Sequence, residues 1–206
     1  MTPAKRLFDI VVALLLAGGL APVILLIGLA ILTTDGRPIF FVSERMRTPD
    51  RAFALLKFRT MKQVTNDPGV TGGDKSWRIT RTGHFLRRTR LDELPQIWNV
   101  LTGDMSLVGP RPPLRQYVEL FPDVYRDVLR SRPGVTGLAS IVYARHEEWL
   151  LSRCRTVEET DQIYTTACIR RKARLDMIYQ ANRSLCLDVL LMLKTVFRGL
   201  PIRGGR

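Results

Sequence analysis

The sequence predicts an α/β fold, mostly α with a small β element, behind an N-terminal membrane helix. Three observations carry this. Residues 10–32 hold no charge and are almost wholly apolar, long enough to cross a bilayer as a helix. Residues 39–42 and 53–61 are short apolar runs of strand character. Further on, Leu94, Ile97, Trp98 and Leu101 lie at helical spacing, and helices are read over 114–132, 158–174 and 185–200.

The 206 residues suffice for one domain with a real core. A net charge of +13 calls for an anionic partner: nucleic acid, an anionic membrane surface or phosphorylated substrates. Cys154, Cys168 and Cys186 are odd in number and form no metal-type pair, so a reducing cytoplasm is expected. His84 and His146 have no local ligand partner, and no zinc site is expected.

Lys5 and Arg6 precede the apolar run, and Arg37, Arg45, Arg47 and Arg51 follow it. Cationic flanks on both sides set no orientation. Pro22, beside Gly18 and Gly19, favours a kink. A kinked span and a helix that enters and leaves by one face fit these residues equally. Asp9, at the edge of the run, needs a partner, and Lys5 or Arg6 is nearest.

Beyond the membrane segment, 34–38 reads as a turn, 39–42 as a strand and 45–51 as a loop. Residues 53–61 begin as a second strand, with Lys57 and Arg59 on one face, either solvated or contacting phosphate. Residues 63–76 read as a mobile loop or lid, and 82–88 as a short helix. Thr89 is placed as the N-cap of the next helix, with Asp92 at the capping-box position and Glu93 beside it in the first turn. The helix dipole and Arg87, Arg88 and Arg90 would keep Asp92 ionised. Leu94, Ile97, Trp98 and Leu101 are assigned to the core. Residues 105–108 are short and apolar, and the prolines of 109–113 present Arg111 in a preset position. Then come a helix over 114–132 interrupted near Pro122, a turn at 132–137, a strand at 138–143 and a charged helix over 158–174, solvated on one face. An amphipathic helix over 185–200 is expected on the membrane or against the core, with Asp188, Lys194 and Arg198 at helical intervals.

Chemistry concentrates in residues 87–113. Arginine suits bidentate phosphate contacts. Adjacent carboxylates can supply a nucleophile, a base or a Mg²⁺ ligand. Arg87, Arg88 and Arg90, then Asp92-Glu93, then Arg111 suggest phosphate chemistry near a metal.

These residues add up to a resemblance over nearly the whole chain. Lys5-Arg6-Leu7-Phe8-Asp9, Lys57-Phe58-Arg59-Thr60-Met61, Leu91-Asp92-Glu93-Leu94-Pro95-Gln96, Gly103-Asp104-Met105-Ser106, Val108-Gly109-Pro110-Arg111-Pro112 and Pro133-Gly134-Val135-Thr136-Gly137 together resemble the bacterial sugar transferases, the monotopic phosphoglycosyl transferases. Ala21-Pro22 stands where that family usually has Ser-Pro, and Ala144-Arg145-His146 replaces a Gly-Arg-Asn-like element.

The resemblance implies a re-entrant membrane helix with its basic flank (1–35) and a compact cytoplasmic catalytic domain with amphipathic interfacial helices (36–206), at the cytoplasmic face of the bacterial inner membrane. It implies that Asp92 attacks the β-phosphate of a UDP-sugar, releasing UMP, and that polyprenyl phosphate then takes the phosphosugar. Glu93 would complete the dyad, with Mg²⁺ held by Asp92 and Glu93. Arg111, Lys57, Arg59 and Arg88 would contact substrate phosphates. The short length argues against the extra N-terminal membrane domain of larger relatives. The sugar, pathway and oligomeric state are not legible, although 63–76 and 144–163 are where specificity is expected. The rival readings are a membrane-anchored binding protein for anionic lipid or nucleic acid and a catalytically silent family member. Against nucleic acid, the basic residues are interleaved with acids and stacking aromatics are few.

Overall fold

Helix α1 (Pro3–Thr34) opens the chain in a computed structural model that describes residues 1–64, 70 and 72–197. The Thr2 hydroxyl accepts from the Lys5 N–H, and Pro3 occupies the first turn, where its missing N–H leaves no bond unmade. The helix runs through Pro22. It stops at Gly36, whose φ of +76° is a left-handed conformation that glycine adopts without strain.

Both ends of α1 are pinned to the rest of the chain. Near the start, Arg6 donates to the carbonyls of Val100 and Leu101 at 2.6 and 2.8 Å. Asp9 is fully buried, accepts from the Ser106 hydroxyl at 2.7 Å and lies 3.4 Å from Lys5. Lys5 also pairs with Asp188 at 2.8 Å. Near the end, Asp35 accepts from the Thr80 hydroxyl at 2.9 Å. Arg59 donates to the carbonyls of Asp35, Gly36 and Arg37.

Strands β1 (Phe40–Thr48) and β2 (Arg51–Phe58) form an antiparallel hairpin with Phe41 opposite Lys57 and Arg45 opposite Phe53. The loop expected over 45–51 is therefore mostly strand. Its charges hid the alternation, but Met46 is buried and its N–H bonds the Pro113 carbonyl. The expected lid is in part a 3₁₀ helix, Gly73–Arg78; residues 65–69 and 71 lie outside the described residues.

Helix α2 (Arg81–Thr89) is capped by the Thr80 hydroxyl, which accepts from the Gly83 N–H at 2.9 Å. Thr89 ends this helix instead of capping the next one, and its hydroxyl donates back to Phe85 at 2.9 Å. Arg90, at φ +62°, breaks the chain direction. Asp92 and Glu93 then lie in a 3₁₀ turn, Leu91–Glu93, ahead of α3 (Gln96–Thr102). Asn99 of α3 clamps the edge of β2, accepting from the Leu56 N–H at 3.0 Å and donating to the Ala54 carbonyl at 2.8 Å. Trp98 is 62% exposed rather than core, because Ile97 and Val100 already fill the inward face of this short helix.

Strands β3 (Ser106–Val108) and β4 (Gly134–Thr136) pair in parallel. A Cβ at Gly109 would collide with the Arg132 carbonyl, and one at Gly134 with the Gly109 N–H. The two glycine-bearing segments thus pack backbone against backbone, which anchors the turn carrying Arg111. The turn expected at 132–137 therefore contains a strand, and the strand expected at 138–143 is instead a helix over Leu138–Val142. Helices α4 (Arg115–Leu120) and α5 (Pro122–Val128) lie between the two strands in sequence. Then follow α6 (Leu138–Val142), α7 (Ala144–Leu151), α8 (Val157–Ile163), a π-helical turn (Tyr164–Cys168), α9 (Ile169–Asn182) and α10 (Leu185–Val196). The first half of the predicted charged helix is α8 and the π turn, with Thr160, Tyr164 and Cys168 facing inward.

One core cluster gathers Tyr117, Val128, Cys168 and Ile169. A second joins Phe53, Ile97, Met105 and Leu191 to Ala13 of α1. A third joins Ile27 and Ile31 of α1 to Phe58 and Leu86. Helix α10 reverses the usual amphipathic arrangement: Asp188 and Lys194 are buried, while Leu190, Leu193 and Val196 face outward. Of the two placements expected for this helix, the structure has Asp188 and Lys194 against the core, with Asp188 drawn inward by Lys5 and by the Tyr179 hydroxyl at 2.6 Å. Arg198 lies outside the described residues.

Candidate active site

A cavity of about 1680 Å³ opens between the β1–β2 hairpin, α2, the 3₁₀ turn, the turn at Arg111, α7 and α9. The 3₁₀ turn delivers Asp92 and Glu93 to it. That turn is held on one side by the left-handed Arg90 and on the other by α3 and its Asn99 clamp.

Glu93 sits between two cations. Its Oε1 accepts from Lys57 Nζ at 2.9 Å and from Arg111 Nη2 at 2.8 Å. Burial pulls this carboxyl upward, but Arg111 and Lys57 outweigh it and hold the group well below the usual carboxylate range. Glu93 in turn pushes Arg111 further up, against the effect of burial. Burial draws Lys57 down, with Glu93 opposing.

Asp92 has a different environment. It is 8% exposed, and its Oδ1 is buried with no hydrogen-bond partner. Burial raises its carboxyl above the ordinary value; Lys57 opposes this and the neighbouring Glu93 charge adds to it. The helix dipole expected at Asp92 is largely missing, because a 3₁₀ turn of three residues offers little of it; burial is the largest influence on this carboxyl, and Lys57, Arg87 and Arg111 pull the other way. A buried carboxylate oxygen without a donor is costly. It suits a cation or an electrophilic phosphorus as its missing partner.

The remaining predicted residues divide. Lys57 and Arg111 are brought together on Glu93. Arg59 lines the cavity, but its guanidinium is committed to three carbonyls at the exit of α1. Arg88 is exposed on α2 at the cavity wall. Arg87 is anchored to the Thr60 hydroxyl at 2.9 Å. Arg45 was missed. It lines the cavity with Phe41 and Ser43 on one face of β1, and burial, with Arg111 nearby, lowers its guanidinium to about 10. The period-2 spacing of 41, 43 and 45 was the available signal. Glu147 on α7 lines the cavity within 144–163, where specificity is expected; Lys172 and Asp176 on α9 also line it and were missed, since no local motif marks them.

Two carboxylates fit Mg²⁺, which is commonly held by one or two protein carboxylates with phosphate oxygens and water. The unpartnered Asp92 Oδ1 is the structural sign of such a need. No group of three or more His, Cys, Asp or Glu suited to a metal occurs among the described residues, so phosphates and water would complete the shell.

The site is thus a buried carboxylate pair among cations, in a chain that begins with a long apolar helix. The chain belongs to the bacterial sugar transferase family, whose profile matches residues 1–201. It is 34% identical over 199 residues to a UDP-glucose:undecaprenyl-phosphate glucose-1-phosphate transferase of Klebsiella pneumoniae, covering 95% of this chain and 40% of that protein. It is 34% identical over 208 residues to a UDP-N-acetylgalactosamine-undecaprenyl-phosphate N-acetylgalactosaminephosphotransferase of Aeromonas hydrophila, covering 98% and 45%. A UDP-glucose:undecaprenyl-phosphate glucose-1-phosphate transferase of Caulobacter vibrioides is 36% identical over 197 residues, covering 93% and 68%. The chain thus spans less than half the length of the first two.

Proposed function

We infer that this protein transfers a sugar-1-phosphate from a UDP-sugar to undecaprenyl phosphate, releasing UMP, as the first membrane step in building a bacterial glycoconjugate. The observation that carries the reading is the buried, unpartnered carboxylate of Asp92 beside the Lys57–Glu93–Arg111 group. Relatives named for this reaction with different sugars support it.

In this reading a carboxylate oxygen of Asp92 attacks the β-phosphorus of the donor. The bond from that phosphorus to the bridging oxygen breaks, and UMP leaves with the oxygen. The phosphosugar remains on Asp92 as an acyl phosphate. A phosphate oxygen of the polyprenyl acceptor then attacks the same phosphorus, the bond to Asp92 breaks, and the carboxylate is restored. Splitting the transfer into two displacements is the usual gain from a covalent intermediate. Glu93, kept ionised between two cations, orients Lys57 and Arg111 toward the diphosphate oxygens. Arg45 and Arg88 add positive charge at the walls. Mg²⁺ bound by Asp92 and Glu93 would supply neutralisation of diphosphate charge.

Helix α1 is long and apolar enough to cross a membrane, yet both of its ends are hydrogen-bonded to one catalytic body. This supports a helix that enters and leaves by the cytoplasmic face of the inner membrane. The outward apolar face of α10 supports an interfacial seat for that body on anionic lipid.

The test is UMP release by purified protein with Mg²⁺, undecaprenyl phosphate and a panel of UDP-sugars. Release with a preferred donor, dependent on the lipid and on Mg²⁺ and lost in Asp92→Asn, is expected. Turnover at the wild-type rate in Asp92→Asn would exclude the nucleophile.

A further inference from the structure

The cavity carries a second polar group that the two displacements above do not use. It consists of Tyr125 on α5, Glu147 on α7, Tyr164 at the π turn, and Lys172 and Asp176 on α9. Lys172 donates to Glu147 Oε1 at 2.8 Å and to the Tyr164 hydroxyl at 3.4 Å, so these two charges satisfy each other. Asp176, one turn further along α9, is 7% exposed, and its Oδ1 has no hydrogen-bond partner. Burial lifts its carboxyl to about 7, against the pull of Lys172. Burial also keeps the Tyr125 phenol above its usual range, with Asp176 among the contributors, so Tyr125 remains a donor.

A buried carboxylate without a partner destabilises a fold, and groups of this kind concentrate at functional sites. The π turn points the same way, since single π turns are frequent at such sites. A partner that brings O–H or N–H donors and no negative charge would satisfy Asp176, as Lys172 is already engaged by Glu147. A phosphate fails on the second count. A pyranose ring meets both, and the Tyr125 and Tyr164 rings offer an apolar wall for its C–H face. The group also adjoins the diphosphate end of the cavity: the Arg45 charge acts on both Arg111 and Tyr164, and the Glu147 charge acts on Arg111.

We propose that Asp176, flanked by Tyr125 and by the Glu147–Lys172 pair, forms the subsite that holds the hexose of the nucleotide-sugar donor and selects among hexoses by their hydroxyls. This rests on the donor reading given above. It locates the choice of sugar on α5 and α9, while overall similarity is equal to relatives named for glucose and for N-acetylgalactosamine.

The test uses the full chain with Asp176→Asn, which keeps the shape and removes the charge, and Tyr125→Phe, which removes only the hydroxyl. UMP release is followed with UDP-glucose, UDP-galactose and UDP-N-acetylgalactosamine, and UMP and UDP-sugar binding by calorimetry. Asp176→Asn should raise donor KM about tenfold or more, change the preference ratio among the three sugars, leave UMP affinity unchanged, and melt at or above the wild-type temperature. Tyr125→Phe should shift the same ratio by less. An unchanged ratio in both variants would overturn the subsite, as would an equal loss of UMP affinity, which would mark a uracil site. A lowered melting temperature with normal kinetics would overturn it too, as a structural role. If the wild type releases no UMP with any donor, the transfer reading fails, and calorimetry then decides the subsite. UDP-hexose bound more tightly than UDP by the wild type but equally by Asp176→Asn would uphold it; equal binding by the wild type would not.

Discussion

Arg59 and Arg111 look alike in sequence, each an arginine inside a basic or proline-rich motif, but the fold uses them differently. Arg111 reaches Glu93, whereas Arg59 ties the exit of α1 through three carbonyls. Arg59→Ala should therefore lower stability by about 2–3 kcal/mol, read by urea denaturation, and change donor KM less than Arg111→Ala does. Asp176 gives a pH prediction. Its folded value near 7 lies above the unfolded value of about 4. Between these the folded chain holds a proton that the unfolded chain has lost, so this contribution is present below about pH 4 and fades as pH rises through 7. Urea titrations of wild type and Asp176→Asn should show the variant gaining relative stability from pH 4.5 to 7.5. A constant difference across that window would contradict the assigned environment.

Among the elements, the Asp92–Glu93 pair depends on a junction rather than on a helix. The turn Leu91–Glu93 sits between α2, stopped by the left-handed Arg90, and α3, fastened to β2 by Asn99. Asn99→Ala would leave the Leu56 N–H and the Ala54 carbonyl unpaired. A loss of about 2–4 kcal/mol is expected, with a fall in kcat as the turn loosens. Normal turnover with the full stability loss would show that the clamp serves the fold alone. The backbone-to-backbone packing of Gly109 and Gly134 does the same for Arg111, because neither position has room for a Cβ.

At the level of the whole molecule, α1 and α10 converge. The Lys5–Asp188 pair joins them, Asp9 and Tyr179 extend the network, and both helices turn apolar side chains outward. In the reading proposed above, the body holds both ends of α1 from one side of the bilayer, whereas a crossing helix would separate them by about 30 Å of hydrocarbon. Tags at the two termini should therefore be accessible from the cytoplasm alone. A periplasmic N-terminal tag would refute this topology.

Much of this was legible in the residue order. The apolar run, the helices near Pro122 and after 158, the Asp92-Glu93 pair and the proline-framed Arg111 announce themselves because composition, spacing and backbone restriction are local properties. Strand β1 beyond Val42, the helix at 138–142 and the burial of Asp188 and Lys194 were not legible. Each depends on a partner distant in the chain: Pro113 against Met46, the Leu187 and Leu191 side-chain cluster that takes in Leu138 and Ile141, Lys5 and Tyr179 against Asp188. The same holds at the site. Residue order alone placed two carboxylates and several cations near one another. Folding chose which cation meets which carboxylate, left one oxygen each of Asp92 and Asp176 buried without a hydrogen bond, and brought α7 and α9 to the cavity, because burial and pairing are set by what packs across space.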